Sequence, residues 1–314
     1  MSVTAPLCKF PACISLLSLN TAVQNSSSAT AVWQHRFIQV NHVNLHYVTQ
    51  GEGELVILLH GFFEFWYSWR HQLPALAKHF KVVVPDLRGY NDSDKPLTGH
   101  DLETLSQDVV GLIHGLGYRA AHIVGHGWGG TLAWHLAQRC PEMLKRLVVL
   151  SGVHPQQWHQ SLLSNLEVMR RSWPLWVSQL PALPEWMLQP VLPRLVTTLF
   201  QSEAIRKNAF SAQDRLLYEA ALRKPGVLSA ALKQYRQILA PQAWLGNLLT
   251  PLPPIQVPTL VLWGEDDSLL HRTFSDSLER YVAAPLDIKQ IPQCGHWVQQ
   301  EVPQTVNRAL LSFL

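Results

Sequence analysis

The chain has 314 residues, of which 47% are hydrophobic and 15% charged, so it can bury a large core in one α/β domain with an insertion or in two domains. The formal net charge of +3 is mild, and no dense Lys/Arg run interleaved with aromatic residues occurs, so we expect no nucleic-acid partner. No apolar run approaches the roughly 18 residues that span a bilayer, so we expect no membrane insertion. Nothing in the sequence indicates an oligomeric state.

The N-terminal residues 1–32 are predicted to be a disordered leader. Lys9 precedes a short apolar stretch at 10–19, which Pro11 interrupts, and a polar linker follows. The alternative is a signal peptide over residues 1–31 and export, because Ala29-Thr30-Ala31 resembles a cleavage site. The cysteines are too few and too scattered for a disulfide framework or a metal site, which favours a reducing compartment and a cytoplasmic location. They are Cys8, Cys13, Cys140 and Cys294.

From residue 37 onward, short β-rich runs alternate with helical patterns. The first two runs, at 37–40 and 45–48, are separated by the polar pair Asn41-His42, which predicts an antiparallel hairpin. The later runs lie at 55–59, 81–84, 122–124, 147–150, 259–262 and 286–291. This alternation predicts an α/β fold with a mostly parallel sheet flanked by helices.

The alternation stops between residues 154 and 256. Helical segments there are interrupted by prolines, and the stretch ends in the Pro-rich segment 251–254. We therefore predict a core formed by residues 33–153 and 257–314, with residues 154–256 inserted as a helical cap.

Chemically active residue types follow the predicted core strands. Segment 60–64 (HGFFE), segment 125–130 (GHGWGG), segment 263–267 (WGEDD) and segment 294–297 (CGHW) each come directly after a strand. The carboxyl ends of parallel strands meet at one edge of a sheet, where ligand sites form. We expect these four loops to converge.

Segment 125–130 has the layout of a strand–turn–helix elbow that presents a nucleophile above the sheet. The central position of such an elbow takes a strained backbone with positive φ, and here it is Gly127. Glycine adopts positive φ at little cost but has no side chain to attack a substrate. The sequence therefore predicts the elbow without its nucleophile.

Two motifs carry a resemblance to a known family. Segment 60–64 resembles a loop usually written HGFPE, and segment 86–96 (DLRGYNDSDKP) resembles DLRGYGDSDKP. Over roughly residues 33–314 the chain looks like an α/β-hydrolase of the epoxide hydrolase type. The resemblance implies that fold with a helical cap, and no metal or organic cofactor.

The family mechanism has two steps and assigns a role to several positions. An elbow aspartate attacks an epoxide carbon while cap tyrosines donate to the ring oxygen, and activated water then hydrolyses the ester. By resemblance, His296 is the base, Asp267 orients it, and Tyr235 is a ring-opening donor. The backbone N–H groups of Phe62 and Trp128 form the oxyanion hole.

Other interpretations of these residues remain open. Asp267 is alternatively a solvated loop acid, and Tyr235 alternatively packs an amphipathic cap helix. His60, Trp173 and Trp176 are predicted to line an apolar substrate pocket, although core packing also explains the tryptophans.

The chain departs from the family pattern at several positions. Gly127 stands where the family has aspartate, Phe63 where it has proline, and Asn91 where it has glycine. The first cap segment, 173–185, carries no tyrosine and looks more like the tryptophan-bearing version of haloacid dehalogenases. Trp128 and Thr131 stand where haloacetate dehalogenases need carboxylate-binding arginines, so a neutral apolar substrate fits better.

Three explanations of Gly127 follow. The chain is a small-ligand binding protein on a hydrolase scaffold, or a hydrolase in which His296 activates water directly, or a competent enzyme that carries an aspartate-to-glycine change. We predict an epoxide hydrolase-like α/β-hydrolase that acts on a neutral apolar small molecule with weak or lost activity, the binding protein being the main alternative.

Overall fold

The computed structural model describes residues 33–180, 183–240, 252–270, 272–275 and 278–314. Residues Trp33–Leu314 form one compact unit. Within the described residues, no helix is long and apolar enough to cross a membrane. The predicted leader, its signal-peptide alternative, Cys8 and Cys13 lie outside the described residues, whereas Cys140 and Cys294 are buried free thiols.

Eight strands form a single sheet in the order β1-β2-β4-β3-β5-β6-β7-β8. Their bounds are β1 Gln34–Val40, β2 Val43–Gln50, β3 Leu55–Leu59, β4 Lys81–Pro85, β5 Ala121–His126, β6 Leu144–Leu150, β7 Thr259–Gly264 and β8 Leu286–Ile291. All five residues of β3 are buried, as expected for an interior strand covered on both faces.

The pairing directions confirm the predicted fold class. β1 and β2 pair antiparallel, and the turn between them has positive φ at both Asn41 (43°) and His42 (62°), the conformation that two-residue hairpins require. β2 pairs antiparallel with β4, and all the pairs from β4 to β8 are parallel. The result is a mostly parallel sheet that begins with a hairpin.

Helices flank the sheet and fill the interval between β6 and β7. The flanking helices are α1 Leu73–Leu76, α2 Leu102–Gly115, α3 Trp128–Arg139, α11 Val298–Glu301 and α12 Pro303–Phe313. Between β6 and β7 lie α4 Pro155–Ser164, α5 Leu166–Arg171, α6 Trp173–Ser178, α7 Leu183–Leu188, α8 Leu192–Glu203, α9 Ala212–Leu222 and α10 Val227–Ile238. Short 3-10 turns occur at Trp66–Trp69, Pro141–Met143, Arg272–Phe274 and Leu278–Arg280.

Local hydrogen bonds explain where several of these helices begin. The Asp101 side chain accepts from the Thr104 N–H (2.8 Å) at the start of α2. Ser211 and Asp214 form a reciprocal capping box at the start of α9. Each cap satisfies N–H groups that have no partner within the helix. The stretch from α4 to α10 is the part of the chain predicted as a cap, and its limits at 154 and 256 remain a prediction.

The carboxyl-terminal ends of β3, β5, β7 and β8 bring the four predicted loops to one edge of the sheet. Two of these loops touch at Gly264, where a Cβ atom would lie 2.0 Å from the carbonyl oxygen of Gly295. Only glycine permits that approach. The contact holds the loop that carries Asp267 against the loop that carries His296.

Candidate active site

A sharp elbow joins β5 to α3 at Gly127. Its backbone has φ 52° and ψ −114°, its N–H donates to the Leu150 carbonyl (3.0 Å), and its carbonyl accepts from the Thr131 N–H (3.0 Å). The main chain at this point is therefore held by both β6 and the first turn of α3. The strained elbow conformation is retained even though its central residue has no side chain.

His296 and Asp267 form a largely buried hydrogen-bonded pair beside this elbow. The ring Nδ1–H of His296 donates to Asp267 Oδ2 (2.9 Å), and the other carboxylate oxygen accepts from the backbone N–H groups of Leu269 (3.0 Å) and Leu270 (2.8 Å). Burial alone would lower the pKa of His296, but the adjacent Asp267 carboxylate raises it above its ordinary value. The acid thus fixes both the orientation and the basicity of the ring.

The free ring nitrogen of His296 faces the space that a side chain at position 127 would occupy. A Cβ atom placed on Gly127 would lie 3.4 Å from His296 Nε2 and 3.6 Å from Gly61 Cα. Both are ordinary van der Waals separations. The elbow therefore has room for a Cβ atom beside the histidine.

The loop after β3 closes the opposite side of this space. Phe62 and Trp128 both line the cavity, and neither backbone N–H donates a hydrogen bond to another residue within the described part of the chain. Phe63 has φ 59°, which a proline ring cannot adopt. The backbone here therefore differs from that of a loop carrying proline at this position.

These residues surround an apolar cavity of about 120 Å³. An apolar cavity of comparable size holds one benzene ring, so this one suits a small aromatic or alkyl group. Burial raises the pKa of Tyr235 to about 12, so its hydroxyl stays protonated, and its ring packs 4.1 Å from that of Phe62. The other lining residues are Phe63, His126, Thr131, Val153, Trp158, Val196, Leu199, Phe200, Leu269, Leu270 and Trp297.

The family of the chain follows from comparison with known proteins. A model of the α/β-hydrolase fold family matches residues 54–303. The chain is 35% identical over 297 residues to epoxide hydrolase 3 of Xenopus tropicalis, covering 91% of this chain and 79% of that protein. It is 32% identical over 314 residues to human epoxide hydrolase 4, covering 97% of this chain and 82% of that protein. The chain is an epoxide hydrolase-like α/β-hydrolase.

Solved structures of this group have the same architecture. A variant of an epoxide hydrolase from Bacillus megaterium superposes with a TM-score of 0.80 at 30% identity, covering 88% of this chain and 99% of that one. An epoxide hydrolase from Mycobacterium thermoresistibile superposes with a TM-score of 0.78 at 27% identity, covering 90% and 98%. The fold and family predicted from the motifs are therefore confirmed.

Three residues of this α/β-hydrolase do not lie where the sequence predicted. His60 is fully buried behind the cavity wall, where its Nε2 accepts from the Leu87 N–H (3.0 Å) and its Nδ1–H donates to the Gly61 carbonyl (2.9 Å). Trp173 and Trp176 are 63% and 46% exposed and do not line the cavity. The prediction of a pocket role is wrong for all three.

The helical repeat explains the error for the two tryptophans. Residues three apart share one face of a helix, so Trp173 and Trp176 lie together on the solvent side of α6. Leu175 and Ser178 share the buried side of the same helix. Among the cap tryptophans that the structure describes, Trp158 of α4 lines the cavity.

Sequence reasoning also missed a buried polar pair behind the elbow. The Glu64 carboxylate accepts from the Gly61 N–H (2.7 Å) and from the Nδ1–H of His126 (2.8 Å). The Nε2–H of His126 donates to the His296 carbonyl (3.1 Å). Burial would raise the pKa of Glu64, but His126 and the Gly61 N–H hold it below its ordinary value. The Glu64–His126 pair links the loops after β3, β5 and β8. In the sequence, the acid at the end of segment 60–64 could have indicated this pair.

The described residues contain one group of potential metal ligands, which lies outside the cavity lining: His46, Asp86 and Asp92. The His46 Nδ1–H donates to Asp86 Oδ2 (2.6 Å), and the same oxygen accepts from Asn91 Nδ2 (2.8 Å). These bonds hold the loop in which Asn91 takes a positive φ of 38°. These hydrogen bonds within the loop account for the grouping of His46 with the two aspartates. That the protein needs no cofactor stays a prediction.

Proposed function

We propose that the cavity binds a neutral apolar small molecule, and that hydrolysis of the epoxide hydrolase type is weak or lost because Gly127 provides no attacking carboxylate. The observation that carries this proposal is the position of the missing side chain, whose Cβ would lie 3.4 Å from His296 Nε2. The relatives named epoxide hydrolases support an epoxide as the substrate class.

The remaining residues have geometry that suits the two-step reaction. Tyr235 would donate its hydroxyl proton to the ring oxygen, and the unengaged N–H groups of Phe62 and Trp128 would stabilise the oxyanion of ester hydrolysis. His296, oriented by Asp267, would take a proton from the hydrolytic water. The covalent step alone has no residue to perform it.

Replacing Gly127 with aspartate tests the proposal. We expect Gly127→Asp to hydrolyse aryl or alkyl epoxides with kcat/KM at least roughly 10³-fold above the native protein, because removing a catalytic nucleophile costs several orders of magnitude. The measurement is diol formation on an epoxide panel, with a nitrophenyl ester as a control substrate.

Gly127→Asn is the matched control for this experiment. Asparagine has nearly the same shape and the same backbone strain at positive φ as aspartate, but its amide is a poor nucleophile. The proposal fails if a folded Gly127→Asp protein turns over no epoxide, or if Gly127→Asn is equally active.

A second candidate function is direct hydrolysis by water that His296 activates. Its support is that Nε2 faces the open side of the elbow while Nδ1–H is held by Asp267. In this case the native protein shows slow turnover that His296→Ala abolishes. A binding protein shows saturable affinity for the same epoxides, no turnover, and little change in affinity on the same replacement.

A further inference from the structure

We infer that the space beside Gly127 is a binding site for a small carboxylate anion, with formate as the best-fitting example, and that the bound anion provides the oxygen that attacks the epoxide. This inference rests on the proposed function for its substrate. The anion that it names and the measurements that test it differ from those of the proposed function, so either one can fail without the other.

The elbow leaves open space on the side that a residue with a side chain would fill. A Cβ atom at position 127 would lie at ordinary contact distances from its nearest neighbours, His296 Nε2 (3.4 Å), Gly61 Cα (3.6 Å) and His296 Cε1 (3.9 Å). The elbow therefore has space for a Cβ atom on the side that faces His296. A free carboxylate is the detached equivalent of the reactive end of an aspartate side chain.

Hydrogen-bond donors that suit an anion surround this space. The site combines the Nε2 side of His296, the unengaged N–H groups of Phe62 and Trp128, and the amino-terminal end of the 12-residue helix α3. N–H groups at a helix start attract anions. His296 is nearly buried, with 12% of its side chain exposed, so its interaction with an anion is only weakly screened by water.

Neighbouring groups favour a protonated His296 when an anion is present. Asp267 is hydrogen-bonded to the ring, and Glu64 and Glu301 also raise its pKa from nearby positions. The His126 ring lies 4.9 Å away, centroid to centroid, and pairs with Glu64. Anion binding should therefore weaken as pH rises through the raised pKa of His296.

Size determines which carboxylates can support a reaction. A free anion is not bonded to Cα of Gly127, so it must sit about 1 Å further out than an aspartate carboxylate, at van der Waals distance. Formate needs the smallest displacement, and acetate adds one methyl group. Longer carboxylates would place their alkyl chain in the same cavity of about 120 Å³ that the epoxide needs. They should bind but compete with the substrate.

The chemistry balances without any other reactant. A formate oxygen attacks one epoxide carbon, that C–O bond of the ring breaks, and the ring oxygen takes the hydroxyl proton of Tyr235. Once the ester has formed, the proton that His296 carried while the anion was bound passes through solvent to the tyrosinate. Water then gives a proton to the neutral His296 and attacks the formyl carbon, the acyl C–O bond breaks, and the departing alkoxide takes the remaining proton of that water. The products are the diol and regenerated formate, with His296 again protonated. The diol keeps the formate oxygen that attacked.

Binding is tested without any epoxide. Sodium formate is titrated into protein that contains isotope-labelled histidine, and the His296 imidazole resonances are followed, with sodium chloride as the ionic-strength control. We expect a saturable shift that formate causes and chloride does not. Gly127→Asn, which fills the space with a neutral side chain, should abolish it. The absence of a saturable shift, or an equal shift in Gly127→Asn, would overturn the inference.

The attacking oxygen is tested by isotope transfer. The native protein is incubated with epoxide and ¹⁸O-labelled formate, and the diol is analysed by mass spectrometry. We expect one ¹⁸O atom per diol formed in the formate-dependent reaction. Unlabelled diol means that water attacks directly and contradicts the inference. Epoxide turnover by Gly127→Asp with no formate effect on the native protein would overturn this inference and leave the proposed function standing.

Discussion

At Gly127 the backbone geometry of the elbow is retained although the residue has no side chain that could react. Its φ of 52° and its hydrogen bonds to Leu150 and Thr131 preserve the elbow, and the Asp267–His296 pair remains assembled beside it. An L-residue at this position would carry backbone strain of about 1–3 kcal/mol. Glycine avoids that strain, so glycine at position 127 should stabilise the fold relative to aspartate.

The pKa of His296 leads to a prediction for any turnover by the native protein. The base must be unprotonated, and Asp267 raises the pKa of the ring, so the rate should fall as pH decreases through that raised value. Asp267→Asn should move the midpoint of the pH–rate profile to lower pH and lower the maximal rate. A midpoint that does not move would show that another group limits the reaction.

His154 leads to a prediction about acid stability. It is fully buried, stacked 4.2 Å from the Tyr281 ring, and neither ring nitrogen has a hydrogen-bond partner among the described residues. Burial lowers its pKa from 6.5 to about 3. Between these values the unfolded chain binds a proton that the folded chain does not, so stability falls as pH falls, by about 1.4 kcal/mol per pH unit.

His154→Phe should remove this contribution. The free energy of unfolding, measured in urea between pH 6.5 and pH 4.5, should decline by about 2–3 kcal/mol less than in the native protein. Replacement of the exposed His79 by glutamine is the control and should leave the slope unchanged. Parallel slopes for His154→Phe and the native protein would show that the pKa of His154 does not differ between the folded and unfolded states.

At the scale of elements, the strands were easier to predict than the cap. β3 and β8 begin and end at the predicted residues, because each is a continuous β-rich run in the sequence. The helices of the cap follow one another with little change in composition, and sequence alone does not show which of their faces are buried. That is why Trp173 and Trp176 were predicted to face the pocket although both are exposed.

The cap tryptophans give a direct test of the cavity. Trp158 lines both the main cavity and a smaller one of about 50 Å³, whereas Trp173 is 63% exposed. Trp158→Ala should weaken binding of an aryl epoxide roughly 10-fold, since a buried aromatic contact contributes about 1.4 kcal/mol. Trp173→Ala should change the dissociation constant less than about 2-fold. Calorimetric titration measures both dissociation constants. A larger effect of Trp173→Ala than of Trp158→Ala would place the binding cavity elsewhere.

At the scale of the whole molecule, a buried polar network links the cap helix α9 to the core. Arg70 Nε pairs with Asp214 of α9 (3.2 Å), its Nη2 donates to the Ala209 carbonyl (3.1 Å), and it also contacts Gln300. Gln300 of α11 in turn donates to the Tyr218 hydroxyl of α9 (2.8 Å). The network is mostly buried, so removal of one partner leaves others unsatisfied.

Replacing Arg70 with methionine tests this linkage. Breaking a buried charge pair costs about 3–5 kcal/mol, so we expect a loss of that order in the free energy of unfolding. Arg223→Met is the control, because Arg223 is exposed and pairs with Glu219 one helical turn away; its loss should cost less than about 0.5 kcal/mol. Equal small losses would mean that the network adds little to stability.

The sequence by itself determined the sheet and the order of the site loops along the chain, because both depend on local patterns: β-rich runs, the glycine-centred elbow, and the acid and histidine after the last strands. Only the tertiary structure decided which side chains meet. His60 lies outside the cavity lining, where its ring accepts a hydrogen bond from the Leu87 N–H. Glu64 contacts His126 because the loops after β3 and β5 pack against each other. Contacts between distant residues depend on how helices and loops pack in three dimensions, and one-dimensional periodicity does not encode that packing.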